Sequence, residues 1–284
     1  MTYQWYPGHM TKAYRNMVEN VKLVDLLIEL VDARIPVSSR NPDIDEIGKN
    51  KNRIVILNKS DLADSSVNEK WVSYFEKSGI NVLKVNSKDR GTLNSLNNLV
   101  RTACREKIER DRKRGILNRP IRAMVVGIPN VGKSTFINSL SGRASAKTGN
   151  KPGVTKGLQW IKLNQSLELL DTPGILWPKF ESEIVGLHLA LVGSINDEIL
   201  HTDELACSLL DILVKDYPQN LLERFGQDLD IDGNNSFELL KGLAVRRNYL
   251  RTGSEPDVDK MASVLLDEYR GGVLGKISLE SPGV

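Results

Sequence analysis

Gly127-Ile128-Pro129-Asn130-Val131-Gly132-Lys133-Ser134 decides the fold, because it matches GxxxxGK[ST] directly after the apolar run 123–126 and before the helix-like run 135–140. In that setting the glycines let backbone N–H groups converge on phosphates at a helix N-terminus. Lys133 supplies charge to the β- and γ-phosphates, and the Ser134 hydroxyl ligates Mg2+. Asn130, Val131, Gly132 and Thr135 complete the predicted cradle. A glycine-rich turn without a ligand is the bland alternative, and the strand–loop–helix setting weighs against it.

Downstream, Asp171-Thr172-Pro173-Gly174 fits DxxG, in which the acid holds Mg2+ through water and the glycine N–H meets the γ-phosphate. Four residues alone are weak evidence; a strand end after a phosphate loop strengthens them. The polar stretch 141–156 between the two motifs reads as a first switch loop. Its Thr155 is the candidate to bind Mg2+ and γ-phosphate, against the alternative of a solvent-exposed threonine.

Upstream, Asn58-Lys59-Ser60-Asp61 follows the apolar run 54–57 and matches NKxD. A carboxylate at Asp61 accepts from the ring N–H and exocyclic amine of guanine, whereas adenine offers a lone pair and no amine at those positions. A site built on such hydrogen bonds rejects the analogue lacking them by roughly 10⁴-fold, so GTP and GDP are the expected ligands and ATP a poor one. Asn86-Ser87-Lys88 is a looser match to the loop that supports the base through backbone N–H groups; Asn86 and Ser87 depart from the commonest residues there.

The motif order is therefore NKxD, base-supporting loop, phosphate loop, switch threonine, DxxG, whereas ordinary G domains begin with the phosphate loop. Apolar runs at 26–31, 54–57, 80–85 and 121–126 alternate with helical segments, which predicts βαβ units and a parallel sheet. Runs 158–163 and 167–170, separated by Asn164-Gln165-Ser166, predict a hairpin that adds one antiparallel strand. The expected fold is α/β: a Ras-like G domain with circularly permuted motif order and a six-stranded, mostly parallel sheet. Residues 92–113 read as one long helix. Beyond about Pro178 apolar residues recur at helical spacing through 184–192, 205–214, 237–250 and 258–269. The expected division is a permuted G domain with an N-terminal extension over 1–177 and an all-α domain over 178–284. Because the permutation cuts the chain after Gly174, the second switch runs straight into that helical part.

The 284 residues are 40% hydrophobic with a formal net charge of +3, enough apolar content for a full core and too little charge for a globally basic nucleic-acid binder. Local clustering is different: residues 101–122 carry nine Lys or Arg against three Asp or Glu, a solvated helix face being the ordinary reading of such a run. Two cysteines without metal spacing fit a reducing cytosol. The N-terminus lacks the regions of a secretory signal and no apolar run approaches a membrane span, so a cytoplasmic protein without a membrane partner is expected. No motif demands a dimer, and a monomer is expected.

On these motifs, together with Trp5-Tyr6-Pro7-Gly8-His9-Met10-Thr11-Lys12-Ala13, Val31-Asp32-Ala33-Arg34-Ile35-Pro36, Gly253-Ser254-Glu255-Pro256-Asp257 and Leu266-Asp267-Glu268-Tyr269-Arg270, the chain resembles the circularly permuted GTPases. Specifically it resembles the ribosome biogenesis GTPase A family, which acts in late assembly of the bacterial large ribosomal subunit. The resemblance covers nearly the whole chain. It implies GTP hydrolysis stimulated by the large subunit, docking on its precursor, and a helical C-terminal domain that binds ribosomal RNA. It also implies roles for two residues: His9 to position the attacking water, because Ile175 stands where Ras-like enzymes carry a glutamine, and Asn130 to hold an activating K+. Packing or RNA contact is the alternative for His9, and His188 and His201 read as core or surface residues. For RNA, Arg246, Arg247, Arg251 and Arg270 are the candidates, yet residues 224–284 hold eight Lys or Arg against ten Asp or Glu, so the basic 101–122 segment is expected to share the contact. Two other functions stay open at this point: a guanine-nucleotide-dependent RNA-binding module with negligible turnover, and a non-ribosomal signalling GTPase.

Overall fold

The computed structural model describes residues 6, 8–142, 146, 158–197, 200–231 and 235–283. Its first half alternates helix and strand: α1 (Gly8–Asn20), β1 (Leu26–Asp32), α2 (Asp43–Ile47), β2 (Asn52–Asn58), α3 (Ser65–Lys77) and β3 (Asn81–Val85). Next come α4 (Leu96–Ala103), α5 (Arg105–Lys113), β4 (Ile121–Gly127), α6 (Lys133–Ser141), β5 (Gln159–Lys162) and β6 (Leu167–Asp171). The strands form a six-stranded sheet in the order β3-β2-β1-β4-β6-β5, parallel throughout except where β5 returns antiparallel on β6. The expected fold class and hairpin are both present.

Position in the sheet explains the residues of each strand. Central β1 is buried along its whole length and reads Leu-Leu-Ile-Glu-Leu-Val-Asp, nearly continuous apolar sequence, as a strand covered on both faces requires. Edge strand β5 buries only Ile161 and exposes Gln159, Trp160 and Lys162. One face of the other edge is covered by α3, whose Trp71 and Phe75 pack with Val55 and Leu57. An Asp64 N-cap starts that helix by accepting from the N–H groups of Ser66 and Val67.

The parallel register brings the carboxyl ends of β1, β2, β4 and β6 to one edge, with Asp32, Asn58, Gly127 and Asp171 as their last residues. In open α/β sheets this edge is where ligands bind.

The long helix expected over 92–113 is interrupted. Residues 90–93 form a 3-10 turn, and α4 and α5 are separated at Cys104 (φ −103, ψ 17). The reason lies in what each piece can bury. Leu96 and Val100 of α4 face the core, whereas α5 reads Arg-Glu-Lys-Ile-Glu-Arg-Asp-Arg-Lys and has only Lys107 buried, so one straight rod would press a charged helix onto the sheet. Buried Cys104 marks the bend, its sulfur 3.7 Å from Asn52 Nδ2.

After β6 the chain is helical: α7 (Glu183–Leu191), α8 (Thr202–Asp216), α9 (Pro218–Phe225), α10 (Ser236–Arg246) and α11 (Val258–Gly271). The helix α9 has no counterpart in the expected spans; Pro218 opens it at a position where the missing N–H costs nothing. Leu209, Leu210, Leu240, Leu243, Leu265 and Leu266 belong to the same apolar cluster as the sheet residues Leu26, Val125 and Leu169.

The segment 277–280 returns to the carboxyl edge of the sheet. The Ile277 N–H donates to Leu62 O (3.0 Å), Leu279 N–H to Arg34 O (2.9 Å), and Trp71 Nε1 to Glu280 O (3.2 Å). The Glu280 carboxylate accepts from the N–H groups of Val37 and Ser38, and His188 Nδ1 lies 3.0 Å from it. His188 is thus a buried packing residue, 6% exposed. None of the described helices is long and apolar enough to cross a membrane.

Candidate nucleotide site

The phosphate loop leaves β4 and enters α6 through residues whose backbone is bent to suit it. Gly132 has φ +100, and a Cβ there would collide with Asn58 Nδ2. Asn130, also left-handed at φ +56, uses a conformation that asparagine tolerates better than most residues. Lys133, 7% exposed, folds back so that Nζ donates to Gly127 O (3.0 Å) and Ile128 O (2.8 Å). Burial lowers its pKa to about 8, with Asp171 opposing the shift. Ser134 and Thr135 occupy the first turn of α6, half-buried.

At the end of β6, Asp171 is 2% exposed and its Oδ1 makes no hydrogen bond among the described residues. Burial raises its pKa to about 6, opposed by Lys133. A buried ammonium bonded only to carbonyls and a buried carboxylate with an orphaned oxygen are what phosphates and a hydrated divalent cation would complete. The residues therefore fit Mg2+, which Ser134 and Asp171 would hold. Thr172 Oγ1 anchors the strand end on Val125 O (2.7 Å). Gly174 passes so close to the loop that a Cβ would lie 2.8 Å from both Lys133 Nζ and Pro129 Cα.

Asn58 joins three predicted motifs. Its Nδ2 donates to Val131 O (2.7 Å), while its Oδ1 accepts from Ser87 Oγ (2.6 Å) and the Ser87 N–H (3.3 Å). Ser139 Oγ of α6 in turn donates to Ser87 O. Asn86 Oδ1 accepts from the Lys88 N–H (2.9 Å), which closes the turn of the base-supporting loop. The Ser60 N–H donates to Val85 O (3.2 Å), and half-buried Asp61 follows it.

Lys59, at φ +57, places Nζ 3.0 Å from Asp32 Oδ2. Asp32 also receives Arg34 through Nε (2.9 Å) and Nη2 (2.8 Å). The Arg34 and Lys59 cations hold the Asp32 carboxyl well below the usual carboxylate range in spite of complete burial, and burial lowers Lys59. The guanidinium of Arg34 lies 5.0 Å from the ring centroid of Tyr269 in α11.

A second connection to the helical part starts in the phosphate loop. Asn130 Nδ2 donates to Gly193 O (2.7 Å) and Ser194 Oγ to Pro129 O (2.9 Å). Residues 190–197 are held from α11 by Arg270, whose guanidinium donates to Ala190 O, Leu191 O and both Asp197 oxygens. Asp32, Arg34, Gly193 and Ser194 were not singled out from sequence as site residues. The run 31–36 carried only a resemblance, and Gly193-Ser194 has no motif at all.

The structure brings together 58–61, 86–87, 130–135, 171 and 174 at one edge of the sheet. His9 is exposed in the opening turn of α1, whose Met10, Ala13 and Met17 are buried. Thr155 falls outside the described residues. Ile175, 1% exposed, is a core residue with no polar group to offer a water. Each arginine expected to meet RNA in the helical part has a carboxylate partner: Arg246 with Asp228, Arg247 with Glu268 (3.6 Å), Arg251 with Asp257 (3.2 Å) and Arg270 with Asp197 (2.6 Å).

Residues 122–228 match a family model described as 50S ribosome-binding GTPase. The chain is 47% identical over 282 residues to a Bacillus licheniformis protein named Ribosome biogenesis GTPase A, covering 99% of each chain. A Thermotoga maritima protein of the same name is 32% identical over 98% of this chain and 94% of its own. Among solved structures, GNP-bound YlqF from T. maritima matches at TM-score 0.65 and 29% identity, covering 96% of this chain and 99% of that one. The GDP-bound form matches at TM-score 0.66 and 28% identity over 94% and 98%.

Proposed function

This chain belongs to the ribosome biogenesis GTPase A family, and from that premise we propose that GTP makes it competent to dock on a precursor of the large ribosomal subunit and that hydrolysis releases it. That it is a GTPase of ribosome biogenesis follows from the family; the docking cycle is our reading. The observation that carries it is the pair of hydrogen bonds from Asn130 to Gly193 and from Ser194 to Pro129. They make the phosphate loop and the helical part neighbours, so a change at the γ-phosphate has a short route to a docking surface.

In this reading Asp61 accepts from guanine, Lys59 and the 86–87 loop flank the base, and Asn58 holds the two base-side loops against the phosphate loop. Lys133 and the N–H groups of 131–135 bind the phosphates. Ser134, Thr155 and Asp171 would hold Mg2+, which would supply positive charge to the phosphate oxygens. Gly174 senses the γ-phosphate from its seat against Lys133. His9 orients the attacking water, since an imidazole can accept or donate a hydrogen bond to it and the Ile175 side chain can do neither. Asn130 provides a carbonyl oxygen for K+, its amide nitrogen being held by Gly193. We place the division between the two parts after residue 177 and assign ribosomal RNA contact to 178–284, in a monomeric cytoplasmic protein.

GTP turnover in KCl, with and without purified large ribosomal subunits, tests the proposal, beside Asp61→Asn as a control for base recognition. Stimulation by the large subunit and not by the small one is expected. Equal turnover in all three conditions would sink the docking cycle while leaving the GTPase intact. Replacing KCl by NaCl should lower the stimulated rate; no change would remove K+ from the scheme.

A further inference from the structure

The arginines of the helical part are compensated by carboxylates, whereas most of those at the opposite end of the sheet from the nucleotide are not, Arg105 with Glu109 and Arg122 with Glu168 (3.2 Å) being the exceptions. In the segment 101–122, eight Lys or Arg are exposed against two exposed carboxylates, Glu106 and Glu109. The acids of this region are used inward. Asp111 pairs with Lys107 at side-chain exposures of 14% and 11%. Asp25, at 12%, lies 3.5 Å from Lys107 and exchanges hydrogen bonds with the Arg122 backbone. Arg105 meets Glu109 (2.9 Å), but Arg101, Arg110, Arg112, Lys113, Arg114 and Arg119 have no carboxylate within ion-pair distance among the described residues.

These charges form one surface. The turn after α5 closes with the Ile116 N–H on Asp111 O (3.0 Å), and Arg119 acts electrostatically on Asp111. Asp25 links α5 to Arg122, and the Arg122 guanidinium lies 5.2 Å from the centroid of Trp160 on edge strand β5. Trp160 is 41% exposed, and Lys162 stands two residues on, in register with Glu168 and so with Arg122. Leu117, at 75% exposure, rises from the middle of the basic turn. A helix face that served only solvation would not set an exposed indole and an exposed leucine beside a row of arginines most of which lack a carboxylate.

We propose that this surface binds RNA: the arginines of α5 and of the turn 114–119 take backbone phosphates, and the exposed Trp160 ring takes an unpaired base. Arginine joins phosphate binding to stacking, and base–aromatic stacking tolerates any sequence because every base has a π-face. The surface is remote from the nucleotide, because β4 runs from Arg122 up to the phosphate loop, about 17 Å at ~3.3 Å per residue. It adds a contact to the RNA-binding role assigned above to 178–284 and stands or falls separately from it.

Fluorescence anisotropy of an RNA hairpin carrying a single-stranded tail of about ten nucleotides, titrated with the full chain across KCl concentrations, tests the proposal. The triple variant R110E/R112E/R114E should bind at least about tenfold more weakly and lower the slope of log K against log salt by roughly two to three. Trp160→Ala should weaken the tailed hairpin roughly tenfold and leave a blunt duplex unchanged. GDP affinity should be unaltered in both variants, which certifies their fold. Unchanged RNA affinity and slope in the triple variant would overturn the inference. So would an equal loss of binding to a polyglutamate peptide, which would mark a surface for an acidic protein. The pair R246E/R251E separates the two readings: loss there with none in the triple variant places the contact in the helical part alone.

Discussion

Asn58 at the end of β2 and Val131 in the phosphate loop, 73 residues apart, are joined by a 2.7 Å hydrogen bond from the buried Asn58 amide to the Val131 carbonyl. The same side chain receives Ser87, so one asparagine sets the distance between the base-side loops and the phosphate-side loop. Asn58→Ala should leave both Val131 O and Ser87 Oγ without their partner. A buried polar group stripped of its partner costs about 1–3 kcal/mol, so the dissociation constant for a fluorescent GDP should rise about ten- to a hundredfold. An unchanged constant would mean that the loops hold their spacing by other means.

Gly174 has no room for a side chain beside Lys133 and Pro129. Gly174→Ala should displace either the lysine or the segment after β6, and the state that depends on γ-phosphate should suffer more than the diphosphate state. A GTP-analogue affinity reduced at least about tenfold, against a GDP affinity changed no more than about threefold, is the expected result by calorimetry. Equal losses for both nucleotides would point to a general distortion of the phosphate loop instead.

Nucleotide affinity should show a bell-shaped pH profile. Lys133 titrates at about 8 in the nucleotide-free protein, and the phosphates need its ammonium, so affinity should fall as pH rises past 8, by up to about tenfold per pH unit. Asp171 titrates at about 6, and Mg2+ needs its carboxylate, so affinity in Mg2+ should also fall below 6. Titration with GDP and Mg2+ between pH 5 and 9.5 checks both limbs; a flat profile would contradict the burial of the pair.

The raised pKa of Asp171 also bears on stability, and its sign is opposite to that of a paired acid. A folded-state pKa above the ordinary 3.8 means a penalty that is complete above about 6 and vanishes toward 3.8. Asp171→Asn should therefore raise the Tm of the nucleotide-free protein at pH 7.5 by a few degrees. That advantage should shrink as the pH is lowered to 5, while Mg2+-dependent binding is lost. Scanning calorimetry at the two pH values decides it.

Arg34 is 1% exposed, bonded twice to Asp32 and set against the Tyr269 ring. Removing one partner of a buried pair typically costs about 3–5 kcal/mol. Arg34→Ala should therefore lower stability by that amount in urea unfolding and loosen α11 as well. Hydrogen exchange restricted to β1, with α11 unaffected, would show that the Tyr269 contact transmits nothing.

What was legible in the sequence was legible because it is local. Gly127 to Ser134, Asn58 to Asp61 and Asp171 to Gly174 are short motifs at strand ends, and alternating apolar runs announce the sheet that carries them. Bonds between distant residues were not legible. Nothing in Gly193-Ser194 marks it as a neighbour of the phosphate loop, and nothing in Asn58 says that its amide serves Val131 and Ser87. The bend at Cys104 was hidden because 92–113 has helical composition throughout, and only the sheet beneath it makes a straight helix untenable. In the helical part the arginines read as free charges, since their partners Asp197, Asp228, Asp257 and Glu268 come from other turns and helices.

The segment 277–280 returns to residues made long before it: the Val37 N–H and the Glu280 carboxylate that receives it are 243 positions apart. At synthesis rates of roughly 5–20 residues per second, about 12–50 s separate the two ends of that bond. Throughout that interval the turn at 37–38 emerges without its carboxylate, and Arg34 waits for the aromatic ring of Tyr269. The loop that follows the first strand acquires its last partners only when the final residues are made, so nascent chains should pass through a period in which the guanine-side edge is open to chaperones and proteases that the finished molecule excludes.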